Sequence, residues 1–397
     1  MSWIKHEKTN INLLPLVFIA ITFQAEAQFS NYSDGTGFIA NLESAIVHDS
    51  NIYRVPDEYS DSDQYLKITP EIKFIKELDK QKYEIIYKSD IAKFREQHSA
   101  NYDDHLLSIR AGFDHTYRFS SFFEYEYVKD HEEPGSLNRI QLDIVDYNKF
   151  SQNFFKSTLV WGKENSKGQI KLSYIRNKRN YKNNGLDFLD SIRDELDGTF
   201  FYRVAPKTRA YFQYAYAKYD YEASNNYELD NVYKRLSLGA VWDTSEALSG
   251  DVNIGYQNRE YDLTRLQDID GFSYDANVFW NLKDYSQFAF FARRESIDSS
   301  IEEVGGFLRT SFGLEFQHEF TEKLSIDAGI AHSKDELVFD LNRTDKRDQV
   351  LTEISYVYSP ILKISCAYSY EDRTSTLAIA NFKSNKVMLN IDLKLDN

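Results

Sequence analysis

The chain has 397 residues and a formal net charge of −15, from 47 Lys and Arg against 62 Asp and Glu; this argues against a nucleic-acid partner, since a phosphate binder needs a basic footprint. One cysteine, Cys366, excludes an internal disulfide, and a mean hydropathy of −0.56 without a long apolar run excludes helical membrane spans. What remains is an aromatic, breaker-poor chain, with 29 Tyr and 28 Phe beside 6 Pro. Aromatics favour strands, and a hydrophilic average with high aromatic content fits a transmembrane barrel, in which only alternate residues meet lipid.

The first segment differs from the rest. Lys5 and Lys8 lie in a polar start, Leu13 to Phe23 is an apolar run, and Ala25-Glu26-Ala27 has small residues where a signal peptidase reads them. Met1–Ala27 is expected to be a cleaved secretory signal, too short for a stop-transfer helix, leaving residues 28–397 as the mature protein.

From there the dominant pattern is strict alternation. The eleventh strand sets Val252, Ile254 and Tyr256 against Asp251, Asn253, Gly255 and Gln257; the fourteenth sets Phe312, Leu314 and Phe316 against Ser311, Gly313, Glu315 and Gln317. The last is clearest: Val387, Leu389, Ile391, Leu393 and Leu395 alternate with Met388, Asn390, Asp392 and Lys394. Successive side chains of a strand point to opposite faces, so each segment has one apolar and one polar face. Pro70, inside the second strand, removes a ladder donor and predicts a bulge. The stretch 137–145 also alternates but reads as part of an outer loop, a candidate arm folded into the lumen.

Connections alternate too. Short turns fall near residues 78–80, 118–121, 163–167, 206–207, 244–248, 283–285, 320–322 and 359–360, separated by nine longer polar stretches. Seventeen connections require eighteen strands. Short turns on one side and long loops on the other is the bacterial outer-membrane arrangement, with short turns periplasmic; an even count then puts both termini in the periplasm. Trp161, Trp242 and Trp280 each end an even-numbered strand just before a short turn, which places all three in one interfacial girdle. An open sheet in hydrocarbon would leave two edges of unpaired backbone groups, each costing several kcal/mol. The predicted fold is therefore all-β: a closed antiparallel transmembrane barrel of about eighteen strands. A soluble β-solenoid is the competing architecture, disfavoured by the uneven loop lengths.

By parity the lumen wall includes Glu124, Glu126, Arg209, Gln213, Arg235, Ser237, Asp251, Asn253, Gln257, Arg309, Glu315, Gln317, Asn390, Asp392 and Lys394. This is a mixed-sign hydrogen-bonding surface, with aromatics such as Tyr211 and Phe291 among it, and it suits either sugars or general diffusion. A basic run, Arg176, Lys178, Arg179 and Lys182, lies at the outer end of the seventh strand. It is a candidate anion contact, for lipopolysaccharide phosphates or for acidic sugars; an ordinary polar rim is the competing reading. Acidic groups at Asp57, Glu58, Asp61 and Asp63, and at Asp187, Asp190, Asp194 and Glu195, read as solvated loops rather than a calcium site. The histidines His48, His98, His105, His115, His131, His318 and His332 show no metal-ligand spacing, and no phosphate loop or nucleophile motif is present. No metal, cofactor or catalytic residue is expected.

Several stretches resemble the putative β-barrel porin 2 family. They are Tyr202-Arg203-Val204-Ala205-Pro206-Lys207-Thr208-Arg209, Arg235 through Thr244, Leu248-Ser249-Gly250, Gly255-Tyr256, His48 through Arg54, and Tyr102-Asp103-Asp104-His105. The resemblance covers most of the mature chain and rests on turn and girdle positions. It implies an outer-membrane barrel associated with exopolysaccharide gene clusters. The resulting expectation is a channel for export of an exopolysaccharide or capsular polysaccharide, embedded in outer-membrane lipid and lipopolysaccharide and served by a periplasmic export partner. The alternatives are a general diffusion porin for small solutes, a structural or adhesive barrel and, least favoured, a barrel-embedded hydrolase.

Overall fold

The computed structural model describes residues 36–136, 146–222, 229–245, 247–298, 305–337 and 343–396. The expected signal, Met1–Ala27, and the 137–145 stretch lie outside the described residues. Nine strands make the first half: β1 (Gly37–Asp49), β2 (Asp63–Leu78), β3 (Gln81–Phe94), β4 (Tyr102–Thr116), β5 (Phe119–His131), β6 (Lys149–Trp161), β7 (Gly168–Tyr181), β8 (Ser191–Ala205) and β9 (Thr208–Tyr221). The second half is β10 (Asn231–Ser245), β11 (Leu248–Tyr261), β12 (Ile269–Lys283), β13 (Ser286–Asp298), β14 (Gly306–Glu319), β15 (Leu324–Leu337), β16 (Thr344–Ser359), β17 (Leu362–Ser375) and β18 (Phe382–Asp396).

Each strand pairs antiparallel with the next, and β1 pairs with both β2 and β18, so the sheet closes. The seam runs from Ile39 opposite Asp396 to Asp49 opposite Lys386. Closure leaves no edge, the condition a sheet must meet in hydrocarbon. Strands of 13 to 16 residues exceed the roughly 9–11 needed to cross a bilayer, so their ends project beyond it.

The two faces sort as alternation requires. Leu389, Ile391 and Leu393 of β18, Leu236 and Leu238 of β10, and Ile254 of β11 are exposed on the outer face. The residues between them turn inward, among them Met388, Ser237 and Asn253, all buried. At two places an aromatic ring of the inner face lies over a glycine of the adjacent strand: Tyr211 over Gly239, and Phe291 over Gly313. Any side chain at these glycines would occupy the ring's place.

Five short turns carry a register shift, between Asp114 and Thr116, Arg203 and Ala205, Asp243 and Ser245, Asn281 and Lys283, and Val357 and Ser359. Pro70 does not. Its register with β1 is continuous, Leu42 facing Pro70, and β2 resumes against β3 in the same register at Glu71–Lys88 after Ile68–Ile91. The predicted bulge is absent. The ladder skips the positions the proline cannot serve, and the opposite Ser89 turns its hydroxyl to the Asp104 carbonyl, 3.0 Å away.

The apolar core sits at the long-loop end, inside the barrel. One cluster joins Val47, Tyr65, Ala92, Phe94, Ala367 and Met388 of the wall to Ile52, Ala100 and Tyr147 of three loops. A second joins Phe150, Tyr181, Tyr261 and Ile269 to Leu189, Leu229 and Leu266. The long connections therefore fold over the mouth, because burying these side chains against the inner wall removes them from water.

Candidate functional site

The inner wall is a chain of charge-assisted hydrogen bonds running between neighbouring strands. On β3 to β5, Arg110 reaches Glu84 at 3.1 Å, Glu124 at 2.6 Å and Glu126 at 3.3 Å, and Ser108 also donates to Glu126. Arg209 of β9 donates to Gln169 at 3.0 Å and Glu164 at 2.7 Å, over the Phe201 ring. Gln213 joins Asp197 at 2.6 Å to Ser237 at 3.4 Å. Such ladders follow from sheet geometry: inward residues on adjacent strands face each other, so alternating sign across the pair satisfies both.

Across β10 to β13 the wall is less completely paired. Arg235 bonds Asn253, and Tyr211 donates to Asp251 at 3.1 Å. Gln257 accepts from the Ser296 amide at 2.9 Å. Yet Arg235 Nε, Asp251 Oδ2, Asn253 Nδ2 and Gln257 Nε2 have no protein partner, although buried. Groups of this kind are costly to leave unpaired in a dry interior. Nearby, Arg259 is 2% exposed; it donates to Asn231 at 2.7 Å and Ser296 at 2.9 Å and faces the rings of Tyr219 and Tyr233.

A cavity of about 210 Å³ opens on the inner face of β12 to β16, lined by Phe279, Phe291, Arg293, Arg309 and Glu315 among others. Its arginines are already engaged: Arg293 with Asp275 at 2.5 Å, and Arg309 with Asp335 at 2.6 and 3.0 Å. Gln317 lies inward opposite Gln287 and Asp327. Toward the short-turn end, Asn390 donates to Ser365 at 3.0 Å, Asp392 lies 3.6 Å from Lys363, and Lys394 faces Asn41 across the seam.

The described start of the third long connection, residues 132–136 after β5, reaches the inner wall of β16 and β17. Its Gly135 carbonyl accepts from Arg373 at 2.8 Å and from Arg347, and Arg373 also reaches the Ser136 carbonyl at 3.5 Å. These arginines stand on β17 and β16, far round the barrel from β5. Gly135 has φ of +78°, and a Cβ there would meet Arg54 and Phe382 at 2.9 Å, so only glycine lets the backbone pass. Arg54, in the first loop, pairs with Asp49 at 2.9 Å and Glu371 at 3.4 Å. Burial works against its charge, but these two carboxylates hold its pKa above the ordinary arginine value. The loop's stem is tied as well, Glu132 accepting from Tyr181 at 2.7 Å and from Asn148 at 2.8 Å.

The basic run does not form one patch. Arg176 and Lys178 are exposed on the outer face, Arg176 pairing with Asp194 at 3.0 Å. Arg179 points inward, to Gln152 at 3.0 Å and over Phe150, while Lys182 is exposed in the loop. Parity divides the run, since neighbours on a strand face opposite ways. The acidic groups divide likewise. Asp63 accepts from the Glu96 and Gln97 amides at 3.0 and 2.8 Å, and Asp190 from the Tyr181 amide at 2.6 Å; both fasten loops, whereas Asp57, Glu58, Asp61 and Asp187 are exposed. Trp161, Trp242 and Trp280 end β6, β10 and β12 at the short-turn rim, with Trp161 stacked on Phe119 at 4.9 Å and Trp280 on Phe288 at 5.6 Å.

Residues 38–395 match the family described as putative beta-barrel porin 2. The chain belongs to this family. It is an outer-membrane β-barrel, and its family is one of non-catalytic channels. The fold is shared with OpdO of Pseudomonas aeruginosa, at a TM-score of 0.51 and 12% identity over 91% of this chain and 97% of that one. OccAB2 of Acinetobacter baumannii gives 0.50 and 12% over 91% and 98%. No curated protein matches in sequence.

These findings overturn the expected polysaccharide export. The matching family is described as a porin, and porins pass small solutes by diffusion; the fold is one shared with the Opd and Occ barrels. The small-solute alternative is favoured over export.

Proposed function

We propose that this barrel is a passive diffusion channel for small polar solutes, sized by the third long loop where it crosses the lumen. The carrying observation is the Gly135 carbonyl held by Arg347 and Arg373 from the far wall. Beneath that crossing the inward residues from Glu124 round to Lys394 form the pore lining. Their paired charges present hydrogen-bonding groups of both signs without a large excess of either, which favours general polar passage over a single ion type.

In this reading the short turns and both termini face the periplasm, and the tryptophan rim marks the inner boundary of the hydrocarbon. Arg176 and Lys178, on the outer face near the long loops, meet lipopolysaccharide phosphates. The test is reconstitution of the purified barrel in planar bilayers. Stepwise, voltage-linear conductance is the expected result; a correctly folded barrel that inserts but passes no current would overturn the channel reading in favour of a plugged structural barrel.

A further inference from the structure

Asp104 on β4, with Asp130 and His131 at the end of β5, brings three potential ligand atoms within 4.8 Å of one another. His131 Nδ1 lies 2.9 Å from Asp104 Oδ2 and 3.7 Å from Asp130 Oδ1. Ligand atoms each about 2.1 Å from one ion stand roughly 3–4 Å apart, so small side-chain rotations suffice to close the set. The imidazole is already oriented, with the Tyr102 and Tyr147 rings each 4.5 Å from it. Its side chain is 3% exposed, whereas Asp130 is 43% exposed and leaves an approach from the mouth.

Charge favours a cation here. Among the described residues, neither Asp104 nor Asp130 is ion-paired to a lysine or arginine; His131 is the partner of both. Glu133 adds negative charge close by. Elsewhere on the inner wall Arg110, Arg293 and Arg309 stand against carboxylates; here an imidazole takes that place.

We propose that Asp104, Asp130 and His131 form a binding site for a divalent transition-metal ion, Zn²⁺ foremost. One imidazole with two carboxylates is a donor set that suits zinc and its neighbours better than Mg²⁺ or Ca²⁺, which take oxygen ligands. Two carboxylates and a neutral imidazole balance the ion's charge, and water completes the shell. His131 Nδ1 sheds its proton to solvent on binding. The ion would bridge β4 to β5 at the residue preceding Glu132, where the third loop leaves the wall. The site does not depend on the channel reading, since its ligands would bind whether or not solute passes.

The test is calorimetric titration of the full-length mature barrel with Zn²⁺ after chelator treatment, for wild type, Asp130→Asn and Asp104→Asn. Wild type should bind one ion, and each variant should bind at least about tenfold more weakly. Asp130→Asn is the safer variant, because that residue is partly exposed and the amide preserves its shape. A zinc absorption-edge spectrum should show one imidazole among oxygen donors. Absence of Zn²⁺ uptake by wild type would overturn the site. So would unchanged affinity in both variants, which would assign the uptake to other groups such as His105 and Asp103.

Discussion

Releasing the third loop from the far wall should widen the channel, and the size of the effect follows from the two guanidinium bonds to Gly135, the long 3.5 Å contact of Arg373 with the Ser136 carbonyl adding little. In the double variant Arg347→Gln, Arg373→Gln, the Gly135 carbonyl loses both guanidinium donors. A hydrogen bond to a charged group contributes about 1.5–3 kcal/mol. The two share one acceptor, so their joint loss is set at about 3 kcal/mol rather than the full sum. At 1.4 kcal/mol per tenfold change, the crossing should detach about a hundredfold more often. The barrel itself should persist, since Glu371 keeps Arg54 at 3.4 Å as a partner and the strand ladders are untouched. Single-channel recordings should show a larger mean conductance with added flicker. If conductance and open-state noise match wild type while the barrel remains folded, the crossing is not the constriction and the reasoning fails.

Three further outcomes test the wall and the lipid face. Ile391→Arg puts a cation on the outer face of β18 and should lower stability by about 2–4 kcal/mol if it lies near the midplane; Asn390→Arg, one residue away and inward, should cost far less, both read by urea unfolding in lipid. Gly239→Ala places a Cβ 2.6 Å from both Tyr211 Oη and the Val252 carbonyl, so it should destabilise by about 1–3 kcal/mol through overpacking; an unchanged unfolding midpoint would refute the ring-over-glycine packing. Cys366 is exposed on the outer face of β17 and should react in membranes with an apolar maleimide but not with a charged one; equal labelling by both would place that face in water.

Much of the fold was legible because its constraint is local. Alternation at Val387 to Leu395 and turn chemistry at Pro206-Lys207 are read within a few residues, and closure follows from the cost of open edges. The position of Trp161, Trp242 and Trp280 beside short turns was legible for the same reason. The Pro70 bulge failed because a ladder can drop the positions around a proline without inserting a residue, and a sequence cannot distinguish these outcomes. The basic run looked like one patch because charge was counted along the chain, whereas parity sends Arg176 and Arg179 to opposite faces.

The contact between Gly135 and the wall of β16 and β17 was not legible. Gly135 meets Arg347 and Arg373 only after the sheet has closed, and nothing near Gly135 marks its partners. The available hints were a glycine in a polar loop, a signal shared by many turns, and the alternation of residues 137–145, read as a candidate lumen arm without any partner. The Asp104, Asp130 and His131 cluster was missed likewise: Asp130 and His131 adjoin, but the third group comes from the neighbouring strand, in a register the sequence shows only once β4 and β5 are paired. The function expected from the family resemblance was drawn from gene neighbourhood rather than from any residue, and it is the part that was corrected.

Liposome swelling with sugars of graded size addresses the account most directly. Rapid swelling with mono- and disaccharides, falling away steeply for longer oligosaccharides, is the predicted result. No swelling with any sugar, or entry of long chains as fast as of short ones, would contradict a solute channel narrowed at its mouth.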